Sequence, residues 1–198
     1  EDLRDNIWVN EAEAEGIAGV DDDGNGYIDD IRGWDFTDAP RLPGKGDFVD
    51  PDNDPFDESG HGTQVAGVVG AVTANGIGIA GVANCLLMPI RAGLTFSQGG
   101  TFLQEDDLAA GILYAVENGA NILNFSWGAP EKAFVLEDAV NIATAMELIH
   151  AATLLHDDII DSADFRRGEE SAYKRYGLTR TLVTGDFLFI KAFEFAGK

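Results

Sequence analysis

The chain changes its pattern part-way along, and that change restricts its fold more than any other feature. Up to about Asp138, glycine, asparagine and aspartate punctuate short apolar runs, whereas from Ala139 to Leu155 Ala, Ile, Val, Met and Leu fall on nearly every helical face. The first pattern suits short strands and helices joined by tight turns; the second suits a helix buried inside a bundle. Each part also carries a cluster of the kind that performs chemistry, HGTQVAG at His61 to Gly67 and DDIID at Asp157 to Asp161. A glycine-rich helix start presenting a histidine and a helix end made of carboxylates belong to different folds. The expectation is therefore two joined fragments, neither of them a complete enzyme.

Charge narrows the partners. The 198 residues hold 35 acidic against 13 basic side chains, a formal charge of −22, which excludes nucleic acid because phosphate binding needs clustered Lys and Arg. Residues 1 to 60 alone hold 19 Asp plus Glu and 4 Lys plus Arg, an excess that means a solvated surface, cation binding or both. Cys85 is the only cysteine, so no intrachain disulfide forms, and it reads as a small buried apolar residue. No apolar stretch is long enough to span a membrane. The start EDLRDN is neither a signal nor a transit peptide and lacks an initiator Met, so processing or truncation at the front is expected.

In the first part, Asp21, Asp23 and Asn25 lie two apart, Gly26 follows, and Asp29 comes next, matching the first nine positions of a calcium loop. The twelfth position is Arg32 where a bidentate Glu belongs, so the segment either binds calcium with ligands from elsewhere or is an acidic turn held by Asx hydrogen bonds. His61 to Ala74 is small and apolar enough for a closely packed helix, with Gly60, Gly62 and Gly67 permitting close backbone approach. A histidine at that helix start can serve as a general base toward a nucleophile from another element. Leu86 to Ala92 reads as a buried strand, Glu105 to Asn118 as a helix, and Asn121 to Ser126 as a second strand. That order predicts a βαβ unit in a doubly wound α/β domain with a parallel sheet.

The segments DDDGNGYIDDIRGWDF, DNDPFDESGHGTQVAG, GIAGVANCLLMPIRAG and ENGANILNFSWG, between about Glu1 and Asp138, resemble the subtilisin-like serine peptidases in order and spacing. The resemblance implies a secreted peptidase acting on a peptide substrate, with His61 as the triad histidine. It also implies that Ser126, Trp127 and Gly128 end the strand whose backbone pairs with bound peptide. The family's triad aspartate in a DTG or DSG context, its serine in a GTS context and its oxyanion-hole asparagine have no counterpart here. Ser126 belongs to the substrate strand and is no substitute.

In the second part, Asp157, Asp158 and Asp161 are spaced to share one helix face, where their repulsion invites magnesium bridging to a diphosphate, with Arg166 and Arg167 nearby for phosphate oxygens. LIHAATLLHDDIIDSADFRRG followed by LVTGDFLFIKAF is similar to the trans-type polyprenyl diphosphate synthases over about Ile142 to Lys198. That resemblance implies a cytoplasmic, all-α, isoprenoid-synthase-like helical bundle. It implies Mg2+ and an allylic diphosphate at Asp157, Asp158 and Asp161, with Arg166 and Arg167 contacting the diphosphate. The family's second aspartate-rich motif and its basic residues for isopentenyl diphosphate are missing. Glu147 and His150 read as core packing or a local hydrogen bond, and His156 as a neighbour of the acidic cluster. Phe187, Phe189, Phe193 and Phe195 read as buried helix packing.

The expected division is residues 1–138, a partial peptidase domain, and 139–198, a partial synthase segment, with a junction near Glu137 to Ala143. No Pro, Gly or Ser linker lies there. Natural fusions keep whole domains, so a composite gene model, an assembly join or a deliberate chimera fits better. Serine endopeptidase, prenyl transferase and a non-catalytic acidic metal-binding protein are the three functions left open. Neither active site is complete, and the uncovered strand edges and apolar helix faces of two broken cores predict self-association.

Overall fold

The computed structural model describes residues 1–128 and 133–197, and it falls into two compact units, Glu1–Ala133 and Phe134–Lys198. The first mixes helix and sheet. A 3-10 turn at Arg4–Asn6 leads to α1 (Glu11–Glu15), β1 (Trp34–Asp35), β2 (Gly44–Lys45), α2 (His61–Gly70), β3 (Ile90–Arg91), β4 (Gly93–Phe96), β5 (Thr101–Leu103) and α3 (Glu105–Glu117).

β1 and β3 pair in parallel, Trp34 opposite Ile90 and Asp35 opposite Arg91, and the connection between them carries α2. The parallel hydrogen bonding continues at the chain's start, where Trp8 N–H donates to Leu87 O at 2.8 Å and Leu87 N–H to Asn6 O at 2.7 Å. β2, β4 and β5 form a separate antiparallel sheet. Gly99 and Gly100, at φ 93° and 94°, make the β4–β5 turn, a backbone shape that glycine adopts without strain.

α3 begins with Glu105, Asp106 and Asp107, whose charges complement the helix dipole, and lays Tyr114 over the parallel pair. Phe36, Ala92 and Tyr114 form the buried cluster, with Tyr27, Trp34, Met88, Ile90, Leu108 and Ala110 around it. Tyr27 meets the rings of Trp34, Phe36 and Tyr114 edge-on at 5.0, 5.6 and 4.9 Å, the favoured geometry for aromatic pairs. The helix comes this close because Gly111 has no side chain: a Cβ there would lie 2.8 Å from Ile90 Cγ2.

Three expectations change here. The strand expected over Leu86 to Ala92 reduces to Ile90–Arg91 with an isolated parallel bridge at Leu87. Asn121 to Ser126 is not a strand, because no neighbouring strand offers it a ladder, and Ile122 is 87% exposed. The parallel pair therefore brackets α2, where the sequence suggests α3. The helix expected to reach Ala74 stops at Gly70, since Val72 N–H donates to Asp2 O and Ala74 takes a left-handed φ of 59°.

The second unit is helical apart from one short hairpin. α4 (Phe134–Ile160) runs unbroken through residues 137–143, followed by the hairpin β6 (Phe165–Arg166) and β7 (Glu169–Glu170), then α5 (Ala172–Tyr176) and α6 (Leu178–Ala196). α4 and α6 pack through small residues, Ala139, Ala143, Ala145 and Ala152 on one and Thr181, Gly185 and Ala192 on the other. The Ser171 hydroxyl caps α5 by accepting from Lys174 N–H. A helix apolar on every face needs neighbours on every side, and within this unit α4 has few. Ile142 and Ile149 on α4 are therefore exposed, and Phe187 and Phe193 on α6, expected to be buried, are exposed as well. Among the described residues no helix is long and apolar enough to cross a membrane.

Candidate functional site

His61 opens α2 directly after Gly60, which takes a left-handed φ of 79° to turn the loop into the helix. Asp57 fixes that entry. One of its carboxylate oxygens accepts from Ser59 N–H and Gly60 N–H at 3.0 and 2.8 Å, the other from Thr63 N–H and the Thr63 hydroxyl, both at 2.7 Å. Burial works to raise the Asp57 carboxyl, but these hydrogen bonds outweigh it and hold its pKa below the ordinary value.

The imidazole of His61 is exposed, and its Nε2 lies 3.0 Å from the carbonyl oxygen of Ser126. A carbonyl only accepts, so Nε2 carries the proton. A histidine acting as base toward a serine needs Nε2 free and Nδ1–H held by a carboxylate. Among the described residues, no carboxylate or hydroxyl hydrogen-bonds to His61. The Ser126 hydroxyl accepts from Asn124 Nδ2 at 3.0 Å, and Trp127 packs edge-on against Phe125 at 5.6 Å. Residues 124–128 thus approach His61 through backbone, with Ser126 and Gly128 exposed.

Behind this loop, the buried Arg91 links strand and helix start. Its Nη1 donates to Asp35 Oδ2 at 2.8 Å, while Nη2 reaches Asp47 O and lies 3.4 Å from Glu58 Oε2. Burial pushes Asp35 up to about 6, against the opposing pull of the Thr37 hydrogen bond and Arg91.

The acidic turn departs from the expected ligand set. Asp21 accepts from Gly24, Asn25 and Gly26 N–H, and Asp29 accepts from Gly19 N–H, so both carboxylates hold the loop's own backbone. Of the four expected ligands only Asp23 joins a carboxylate cluster, with Glu13 and Asp30, whose ligand atoms lie within 4.8 Å of one another. Asn25 instead caps Tyr27 N–H and donates to Asp23 and Asp30. Glu13 and Asp30 are both buried, and among the described residues no Lys, Arg or His pairs with either. Asp30 is held by Asn10 Nδ2 at 2.9 Å, Asn25 Nδ2 at 3.1 Å and the Tyr114 hydroxyl at 2.6 Å. Glu13, on α1, and Asp30 escape sequence reasoning because fold contacts bring them to Asp23. The only hint is a glutamate beside alanines in EAEAE.

In the second unit the three carboxylates of DDIID do not converge. α4 ends at Ile160, so Asp161 sits in the following turn; Asp157 and Asp161 are exposed, while Asp158 is buried. Asp158 Oδ1 accepts from Arg166 Nε at 2.7 Å. Arg167 and Gly168, at φ 50° and 86°, form the tight hairpin turn, which puts Arg167 at an exposed tip. His156 lies 3.5 Å from Asp186 Oδ1 and stacks near Phe189, so its neighbours come from α6.

A family model described as the Subtilase family matches residues 22–156, more than half of the chain. The chain belongs to the subtilase family. A second model, described as Polyprenyl synthetase, matches residues 117–198, and the two overlap across the end of α3 and most of α4. The chain is 44% identical over 116 residues to a thermophilic serine proteinase of Bacillus sp. (strain AK1), covering 56% of this chain and 28% of that protein. Over 55 residues it is 46% identical to the octaprenyl diphosphate synthase of Escherichia coli (strain K12), covering 28% of this chain and 17% of the synthase. A solved octaprenyl pyrophosphate synthase from Helicobacter pylori aligns at 27% identity with a TM-score of 0.32, over 47% of this chain and 36% of that one. The chain thus spans less than a third of the length of these two curated relatives. His61, Ser126, Trp127 and Gly128 fall inside the subtilase match, and Asp157, Asp158, Asp161, Arg166 and Arg167 inside the synthase match alone.

Proposed function

We propose that residues 1–138 are a partial subtilase-like domain, an incomplete doubly wound sheet joined to a polyprenyl-synthase-like helical segment over 139–198, and that this chain by itself does not cleave peptides. The observation that carries this reading is the hydrogen bond from His61 Nε2 to Ser126 O. It places the proton on the nitrogen that would have to receive one. In serine peptidases, loss of the orienting carboxylate alone lowers kcat by about 10⁴-fold, and here a nucleophile is missing as well. Residues 124–128 retain the role of a backbone edge for an extended peptide, with Ser126, Trp127 and Gly128 along it. The test is a fluorogenic protein-hydrolysis assay on the purified chain, with no turnover above buffer expected; hydrolysis lost in His61→Ala would overturn the reading.

A cation supports the peptidase part. Glu13, Asp23 and Asp30 are hard oxygen donors, two of them buried with no cationic partner among the described residues, and they suit calcium. Calorimetry should detect calcium binding that Asp30→Asn removes.

The synthase-like segment supports a second reading, binding of magnesium and an allylic diphosphate. Asp157 and Asp161 are exposed carboxylates that suit magnesium, an ion that keeps most of its water and takes one or two carboxylates. Magnesium would supply charge neutralisation of the diphosphate. With no second aspartate-rich motif in the sequence, condensation with isopentenyl diphosphate is expected to be undetectable in a radiolabel assay, and product formation would refute that expectation.

A further inference from the structure

Asparagine followed by glycine is the pair at which a chain most readily attacks its own side chain, because glycine puts no Cβ beside the attacking nitrogen. The first unit holds three such pairs, Asn25 with Gly26, Asn75 with Gly76 and Asn118 with Gly119. Two of them are held back. Gly26 N–H donates to Asp21 Oδ2 at 2.9 Å and Gly119 N–H to Val116 O at 3.0 Å, so each nitrogen is committed to an acceptor away from the asparagine Cγ. Their side chains are tied as well: half-buried Asn25 donates to Asp23 and Asp30, and half-buried Asn118 to Tyr114 O at 3.1 Å. Asn75 differs. It is exposed, no hydrogen bond among the described residues engages Gly76 N–H, and a Cβ at Gly76 would meet nothing within 4 Å. Ile77 N–H donates to Asn75 Oδ1 at 2.9 Å, which polarises the amide carbon toward attack. Asn25 receives the same bond from Tyr27 N–H, so the free glycine nitrogen is what sets Asn75 apart.

We propose that Asn75 is a site of spontaneous deamidation, through attack of Gly76 N on its Cγ. The bond from Gly76 N to Cγ forms as that nitrogen gives its proton to water. The Cγ–Nδ2 bond then breaks, and ammonia leaves, taking a proton from water, to give a succinimide. Water opens the ring at Cγ to give aspartate, or at the Asn75 backbone carbonyl carbon to give isoaspartate, whose chain runs through the side chain. Nothing is oxidised or reduced. The change falls where the start of the chain is anchored. The Asp2 carboxylate accepts from Asn75 Nδ2 and from Ile79 N–H, both at 2.9 Å, and Asp2 O accepts from Val72 N–H at 2.8 Å. The Asn75 and Ile79 donors hold the Asp2 carboxyl below its ordinary value. Deamidation turns the asparagine donor into a second carboxylate facing Asp2, so the contact becomes repulsive and the first residues loosen from the loop after α2.

The test incubates the full chain at mildly alkaline pH, folded and in urea, and follows each pair by peptide mass spectrometry. A tryptic digest places the three pairs in different peptides, and each deamidation replaces NH by O. The folded chain should deamidate at Asn75 at least about tenfold faster than at Asn25 or Asn118, because the held pairs react only after local opening. In urea, where the folded contacts are gone, the three rates should converge to within about threefold. Asn25 or Asn118 keeping pace with Asn75 in the folded chain would overturn the proposal, as would an Asn75 that stays intact while the urea sample reacts. A lead for Asn75 that persists undiminished in urea would assign the difference to its sequence neighbours and overturn the structural cause. The effect on the anchor is read by amide hydrogen exchange in Asn75→Asp. Exchange at Val72 and Ile79 N–H should speed up at least about tenfold, with Tyr114 N–H in α3 unchanged. Exchange in Asn75→Asp that matches the parent would overturn the loosening of the chain's start.

Discussion

Asp35 is the residue at which fold and titration meet. It is fully buried at the parallel pair, bound to Arg91, and raised to about 6 from an ordinary 3.8. Between those two values the folded state holds more protons than the unfolded one. The Asp35 contribution is therefore fully present below about pH 4 and lost as pH rises through about 6. Two pKa units correspond to about 3 kcal/mol as an upper figure. Asp107, also raised by burial, adds in the same direction, while Asp57, lowered, acts at more acid pH. Urea denaturation followed by tryptophan fluorescence should show stability falling between pH 4 and pH 7, more steeply than in Asp35→Asn. Identical slopes in the two proteins would exclude this role for Asp35. The sequence made the position of His61 readable, because HGTQVAG fixes a glycine-rich helix start. It could not reveal which ring nitrogen holds the proton, since that depends on Ser126 O, 65 residues away.

Elements were legible where their own residues decide them. α3 and α4 announce themselves through apolar spacing and length, and α3 appears within one residue of its expected end. Strands were less legible, because a strand exists only through a partner: Asn121 to Ser126 has the composition of one but no ladder. The antiparallel β2–β4–β5 sheet was missed for the converse reason, its strands being two to four residues long with no alternation to read. Within the first unit, α3 is pinned to the acidic turn by the Tyr114 hydroxyl on Asp30. Tyr114→Phe leaves Asp30 buried with its two asparagine donors and should lower stability by about 1–3 kcal/mol. All three tryptophans, Trp8, Trp34 and Trp127, lie in the first unit, so their fluorescence reports this change. An unchanged denaturation midpoint would show that the hydroxyl contributes nothing there.

Across the whole molecule, charge and apolar exposure oppose each other. A formal charge of −22 keeps copies apart, yet Val82, Ile122, Ile160 and Phe193 are each more than 70% exposed, with further apolar side chains uncovered on α4 and α6. Salt screens the repulsion and leaves the apolar attraction in place. Sedimentation velocity should therefore show association that grows from low salt to about 0.5 M. A monodisperse monomer at both salts would contradict that expectation.

The central claim is that His61 is a triad histidine without its partners. Activity-based labelling with a serine-directed fluorophosphonate addresses it most directly, applied to the parent chain and to His61→Ala beside an intact serine peptidase. The account predicts no labelling of either form while the intact peptidase is labelled. Labelling of the parent that disappears in His61→Ala would contradict it, because a nucleophile within reach of His61 would then exist in this chain.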